Sequence, residues 1–145
     1  MEHAARHKPL VLHVEDDDGS AFLFTLVLRY QGVDADVLRI RDGEEAIRFL
    51  ARSVTSEDTP VPDVVVLDLN LPKKDGHEVL SQLREMSHIQ KLPVIIFTSS
   101  NLPADRTQAH LLGADGYFEK SNLDSFVAVS KQVMRYISQR NEGYG

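Results

Sequence analysis

The feature that most constrains the fold is an unbroken apolar run, Val64-Val65-Val66-Leu67, that ends at Asp68. A turn-rich segment follows it over residues 69–76. A short apolar run bounded by turn residues is typical of a strand buried on both faces, as in a parallel sheet. Asp68 is then predicted at the carboxyl edge of that sheet, which is where open α/β folds bind their ligands.

The remaining pattern predicts strands that alternate with helices along the chain. Strands are predicted over residues 9–14, 33–40, 64–67, 93–98 and 115–119, and helices over 20–30, 44–52, around 79–83, 104–112 and from 121 onward. Residues 53–62 are polar and predict a loop. Leu123, Phe126, Val133 and Ile137 share one face of the last helix, of which Phe126, Val133 and Ile137 should belong to the core. Such alternation implies right-handed crossovers. The predicted fold class is α/β, a doubly wound five-stranded parallel sheet with five helices.

Length and charge limit the classes of protein that this chain can belong to. The 145 residues suit one domain, assigned to residues 9–140 between tails at 1–8 and 141–145. A net charge of -6 argues against nucleic-acid binding. No stretch approaches the roughly 20 apolar residues that span a membrane. The absence of cysteine excludes disulfides and fits a cytoplasmic location, and the six histidines show no metal-ligand spacing.

Chemically suggestive side chains follow four of the predicted strands. Glu15 and Asp16 follow the first strand, and Thr98 and Lys120 come at the ends of the fourth and fifth, so they should meet Asp68 at one edge. Three adjacent carboxylates repel one another and suggest a divalent cation, for which hard oxygen ligands favour Mg²⁺. Lys120 and Thr98 suit phosphoryl oxygens. Asp68 is placed to act as a nucleophile that forms an aspartyl phosphate.

With these motifs in this order, the chain from residue 9 to about 139 resembles the receiver domain of two-component response regulators. The resemblance rests on Glu15-Asp16, on the segment 66–72 with Asp75-Gly76, on Phe97-Thr98-Ser99 and on the segment 116–120. It implies a flavodoxin-like receiver fold. It also implies a signalling phosphoacceptor that is not an enzyme in its own right.

The resemblance implies a role for each matching residue. Asp68 would take a phosphoryl group from a sensor histidine kinase. Asp16 and Asp68 would bind Mg²⁺ directly, Glu15 through water, and Asn70 through its backbone carbonyl.

Three further residues would respond to the phosphoryl group. Thr98 would hydrogen-bond it, and Tyr117 would be an aromatic switch that turns inward with Thr98. Lys120 would pair with Asp68 before phosphorylation and with a phosphoryl oxygen afterwards.

A narrower resemblance concerns the partner. The long loop at 53–62, Asn70, Lys73-Lys74 and the segment 98–100 are similar to the stand-alone regulators that partner bacterial phytochromes. This implies a phytochrome kinase as the partner. It also implies a homodimer through the fourth helix, fifth strand and fifth helix, roughly residues 104–140.

One departure from the family leaves alternatives open. The family usually has proline after its lysine, with a cis peptide before it, whereas this chain has Ser121. A cis Lys-Ser bond would cost about 2.5–4 kcal/mol, so a trans peptide is predicted. A receiver that only docks without phosphorylation remains an alternative. An aspartate-nucleophile phosphatase is disfavoured. Such enzymes usually carry Asp-x-Asp early in the chain, whereas Asp68-Leu69-Asn70 lies mid-chain and has asparagine in place of the second aspartate.

Overall fold

The computed structural model of the protein describes residues 8–55 and 59–143. Its strands are β1 (Leu10–Val14), β2 (Asp36–Ile40), β3 (Val64–Leu67), β4 (Val94–Thr98) and β5 (Gly116–Glu119). Its helices are α1 (Asp18–Tyr30), α2 (Gly43–Thr55), α3 (Gly76–Arg84), α4 (Pro103–Leu111) and α5 (Leu123–Gly143), with a 3₁₀ helix at Ser87–Ile89 before β4. Most of the segment assigned to an amino-terminal tail, residues 1–7, lies outside the described residues.

The five strands form one parallel sheet in the order β2-β1-β3-β4-β5. This arrangement confirms the predicted α/β class. All four residues of the central strand β3 are buried, as its continuous apolar sequence predicts. Within the described segments, no helix is both long enough and apolar enough to cross a membrane.

Helices cover both faces of the sheet because successive strand side chains point to opposite faces. Val64 and Val66 of β3 pack with residues of α1 and α5, such as Phe24 and Phe126. The intervening residues of β3 pack with α2, α3 and α4 on the other face. The sheet is therefore doubly wound, and its carboxyl edge is the edge that both helical layers leave open.

Two local expectations are wrong. The predicted loop at 53–62 starts too early, because α2 continues to Thr55 and the buried Ser53 hydroxyl donates to the Leu50 carbonyl at 2.6 Å. That bond satisfies a polar side chain inside the last turn of the helix. The second strand was predicted over 33–40, but β2 begins only at Asp36. In α5, Phe126, Val133 and Ile137 are buried as expected, and Leu123, the first residue of the helix, is 57 % exposed.

The turn after Asp68 is held against the start of α3 by the absence of a side chain at Gly76. A Cβ atom there would lie 2.3 Å from the Asp68 carbonyl oxygen and 2.7 Å from the Leu69 Cα atom. The Gly76 N–H donates to the Leu69 carbonyl at 3.0 Å, and Asp75 caps α3 by accepting from the Glu78 N–H. The position of Asp68 therefore depends on close backbone contact with α3.

We expect Gly76→Ala to lower the free energy of unfolding by about 1–3 kcal/mol, because the methyl group would collide with backbone atoms. Urea denaturation measures this change. Gly19→Ala in α1 is the control, since its Cβ would meet only the Asp17 carboxylate at 3.4 Å. That variant should keep or raise the stability, because alanine favours helix. Equal stability of the two variants would contradict the expected collision.

Candidate functional site

The predicted residues meet at the carboxyl edge of the sheet. Glu15 and Asp16 follow β1, Asp68 follows β3, Thr98 ends β4 and Lys120 follows β5. Backbone hydrogen bonds between neighbouring strands align these residues with one another. The Asp68 N–H donates to the Val14 carbonyl, and the Lys120 N–H donates to the Thr98 carbonyl. The edge forms an open depression of about 690 Å³, which Asn70 also lines.

A lysine and two buried carboxylates form the centre of the site. Lys120 Nζ lies 2.5 Å from Glu15 Oε1 and 3.1 Å from Asp68 Oδ2. The side chains of Glu15 and Asp68 are 0 % and 5 % exposed, and that of Lys120 is 11 % exposed. The pairing of Lys120 with Asp68 was expected from the resemblance, whereas its contact with Glu15 was not.

Burial and charge act against each other at Glu15. Removal from water raises the pKa of Glu15 to about 7, and the Asp68 charge adds to this, although the hydrogen bond from Lys120 lowers it. Burial by itself lowers the pKa of Lys120, but its bonds to the two acids raise that pKa overall. The site therefore stabilises a positive charge and carries more carboxylates than Lys120 alone neutralises.

Glu15, Asp16 and Asp68 each place a carboxylate oxygen within 4.8 Å of the others. This all-oxygen donor set suits a hard divalent cation. In residues 8–55 and 59–143 it is the one such group of three or more metal-binding side chains. One oxygen of Asp68 accepts from the Asn70 N–H at 3.1 Å, which orients the carboxylate.

The predicted switch residues meet at Ser100. Thr98 is fully buried, and its Oγ1 accepts from the Ser100 N–H at 3.3 Å. The Tyr117 hydroxyl donates to the Ser100 carbonyl at 3.1 Å, and the Arg106 guanidinium lies 4.5 Å from the Tyr117 ring centroid. Thr98 and Tyr117 are therefore connected through a residue to which the sequence analysis gave no role.

The prediction for Ser121 is confirmed, since the described residues contain no cis peptide bond. With a trans peptide at Lys120–Ser121, Lys120 still reaches both buried acids. The side chain of Asn122 then accepts from the Ser125 N–H at the start of α5. The loop after β5 is thus compatible with a working lysine without the usual proline.

Sequence reasoning missed the arginine that holds the acidic loop. Arg39 Nε donates to the Glu15 carbonyl at 2.9 Å, and its Nη1 atom lies 2.7 Å from Asp18, which Arg41 also contacts. Arg39 lies on an edge strand and resembles an ordinary surface residue in sequence, so no local signal identifies it. Asp17 caps α1 by accepting from the Ser20 N–H, so this acid has a structural role at the start of the helix.

Comparison with known families gives one match that covers most of the chain. Residues 11–129 match the family described as the response regulator receiver domain. The response regulator Rcp1 of Synechocystis sp. is 35 % identical over 121 residues, which cover 83 % of this chain and 82 % of Rcp1.

Two solved structures are similar over nearly their whole length. The Mn²⁺-bound form of response regulator Rcp1 has a TM-score of 0.76 at 32 % identity and covers 86 % of this chain and 91 % of its own. The phosphorylated cyanobacterial phytochrome response regulator RcpA has a TM-score of 0.79 at 31 % identity and covers 90 % and 94 %.

The buried Glu15 generates a pH-dependent prediction. Because its pKa is raised to about 7, the folded protein retains a proton that the unfolded chain releases near its ordinary pKa of 4.5. The stability that this proton contributes is complete below that ordinary pKa and is lost as the pH rises to about 7. We expect Glu15→Gln to gain up to about 3 kcal/mol relative to the wild type over this window, at ~1.4 kcal/mol per pKa unit.

Urea denaturation in buffer with a chelator, repeated across this range of pH, measures the gain of Glu15→Gln. The exposed Glu45 on α2 provides the matched Glu→Gln control. A constant difference between Glu15→Gln and the wild type at every pH would show that Glu15 does not titrate in this window.

Proposed function

The chain belongs to the response regulator receiver domain family, and on that premise we propose that Asp68 accepts a phosphoryl group from the phosphohistidine of a sensor histidine kinase in the cytoplasm. The observation that carries the proposal is the position of the Asp68 carboxylate. It lies in an open depression, 3.1 Å from the Nζ atom of the partly buried Lys120 and within a cluster of carboxylates. A nucleophile beside a cation is the arrangement that phosphoryl transfer requires.

In this transfer a carboxylate oxygen of Asp68 bonds to phosphorus as the bond from phosphorus to the kinase imidazole nitrogen breaks. The electron pair stays with the imidazole, and the regulator gains an aspartyl phosphate. Lys120, already 3.1 Å from Asp68, neutralises charge on the transferred group. The buried Thr98 hydroxyl donates to a phosphoryl oxygen, because its own oxygen accepts from the Ser100 N–H and leaves its proton available.

The cofactor we propose is Mg²⁺. Glu15, Asp16 and Asp68 would supply carboxylate oxygens, and Asn70, which lines the same depression, would supply its backbone carbonyl. Mg²⁺ and Mn²⁺ both accept such oxygen donors. When bound, the cation neutralises charge on the phosphoryl oxygens. Support also comes from Rcp1, whose structure was solved with Mn²⁺.

A receiver that docks without phosphorylation is the second candidate, and Ser121 in place of the usual proline is the observation that favours it. The contacts of Lys120 argue against this candidate, since the lysine reaches Glu15 and Asp68 through a trans peptide. The two candidate functions differ in whether Asp68 gains a phosphoryl group: a phosphoacceptor does, and a docking module does not.

We propose that the kinase partner is a phytochrome, because RcpA is a phytochrome response regulator of similar length and fold. We also propose a homodimer through α4, β5 and α5. This face carries Leu111, which is 78 % exposed, and the half-buried Tyr117. An exposed large apolar side chain on a surface that also carries a proposed switch residue suits contacts that change with phosphorylation.

Incubation with a small acyl phosphate and Mg²⁺ should add one phosphoryl group, measured by the mass of the intact protein. Asp68→Asn should add none, because an amide is a poor nucleophile and does not form the acyl phosphate. The matched control is Asp34→Asn, a surface carboxylate that precedes β2 and so lies at the opposite edge of the sheet. Chelation of Mg²⁺ should abolish the adduct.

Failure of the wild type to gain mass, together with failure to bind beryllofluoride, would favour the docking module. An adduct that persists in Asp68→Asn would place the acceptor at another residue. Both results are independent of which kinase is the natural partner.

The dimer is tested by light scattering of the phosphorylated and unphosphorylated protein. We expect Leu111→Ser to raise the dimer dissociation constant at least about tenfold, because it removes an apolar contact at the interface. Leu26→Ser is the matched control, since Leu26 is also exposed but lies on α1. Equal effects of the two substitutions, or a strict monomer in every state, would contradict the proposed interface.

A further inference from the structure

The start of α3 is joined to the loop after β4 by side-chain hydrogen bonds. His77 Nε2 lies 3.1 Å from Asp105 Oδ1, and the Ser100 hydroxyl donates to Asp105 Oδ2 at 2.5 Å. The bond from Ser100 and then that from His77 lower the pKa of Asp105, so both favour its ionised form. Because the carboxylate accepts, the His77 proton lies on Nε2. Asp105 therefore binds two separate segments with its two oxygens.

Ser100 connects Asp105 to both switch residues. Its N–H donates to Thr98 Oγ1 at 3.3 Å, and its carbonyl accepts from the Tyr117 hydroxyl at 3.1 Å. No side chain caps the first turn of α4, which Leu102 precedes. Asp105, in that first turn, reaches back to Ser100 and holds the loop in place of a cap.

The other end of the chain of contacts reaches the phosphoacceptor. His77 follows Gly76, and the Gly76 backbone lies against the Asp68 carbonyl so closely that a Cβ would be 2.3 Å from it. His77 is also largely buried, which limits its movement relative to α3. The contacts thus run from Asp68 through α3 to Asp105, and from there to Ser100.

We propose that Asp105, held by His77, is a positioning residue that fixes Ser100 and thereby the Thr98 hydroxyl and the Tyr117 ring. The inference rests on the proposed phosphoacceptor function of Asp68. Asp105 touches neither the reacting atoms nor the carboxylate cluster, so it acts only through the loop. A misplaced Thr98 hydroxyl removes a donor from the transferred group while the cation site is unchanged.

The test compares the initial rate of phosphorylation by a small acyl phosphate over a range of Mg²⁺ concentrations. Asp105→Ala should lower the rate at saturating Mg²⁺ about tenfold and leave the half-saturating Mg²⁺ concentration unchanged. Asp105→Asn should recover most of the rate, because its amide oxygen still accepts from Ser100. The matched control is Asp124→Ala, which removes an aspartate from the first turn of α5 and should keep the wild-type rate.

His77→Leu tests whether the two residues act in series. Alone it should lower the saturated rate about threefold, and combined with Asp105→Ala it should lower the rate no further than Asp105→Ala alone. An unchanged rate in Asp105→Ala, no recovery in Asp105→Asn, an equal loss in Asp124→Ala, or multiplied losses in the double variant would each overturn the proposal.

A second readout does not depend on phosphorylation. The NMR signals of the Tyr117 ring, identified with Tyr117→Phe, should move toward those of an exposed tyrosine in Asp105→Ala but not in Asp124→Ala. If the wild type neither takes a phosphoryl group nor binds beryllofluoride, the proposed function fails, and the Tyr117 signals still decide the positioning role. If the wild type is phosphorylated but the Tyr117 signals stay the same in Asp105→Ala, the positioning role alone fails.

Discussion

The site depends on the pairing of one lysine with two buried carboxylates. An unpaired carboxylate taken out of water costs several kcal/mol, so Glu15 and Asp68 require the ammonium group of Lys120 beside them. Glu15 and Lys120 are 105 positions apart in the chain. Their contact requires β1, β3, β4 and β5 to lie side by side in the observed order, so the site exists only when these four strands are in place.

Lys120 does not neutralise the carboxylate cluster fully, and this excess of negative charge suits the site to a divalent cation. Glu15 and Asp68 contact one ammonium, and the exposed Asp16 places a third carboxylate beside them. Burial first, and then the Asp68 charge, raise the pKa of Glu15. A divalent cation would supply the missing positive charge, and a phosphoryl group on Asp68 would then restore negative charge next to Lys120. The carboxylates that would bind the cation thus make the ligand-free protein less stable than it would be without them, as the residues of functional sites commonly do.

The site residues at the ends of buried strands were predictable, because a buried strand appears in the sequence as a run of apolar residues. Asp68 and Thr98 end apolar runs, and parallel strands bring such ends to one edge. The contacts of Arg39, Ser100 and Asp105 were not predictable, since each joins a surface-like side chain to a distant segment without any periodic pattern. The end of α2 was missed for a related reason, because a local bond from Ser53 offsets its polar character.

The burial of the strands distinguishes the rigid part of the site from the part that can move. Every residue of β3 and β4 is buried, so Asp68 and Thr98 are held by close packing on both faces of the sheet. Every residue of β5 is only partly buried, and Tyr117 packs at the margin of the core, with one hydrogen bond from its hydroxyl and Arg106 over its ring. If Asp68 is phosphorylated, a movement of Thr98 toward the phosphoryl group would be accommodated more easily on the side of β5, whose residues are only partly buried, than on the side of the buried β3. The uneven packing of the sheet would therefore direct the response toward α4 and β5.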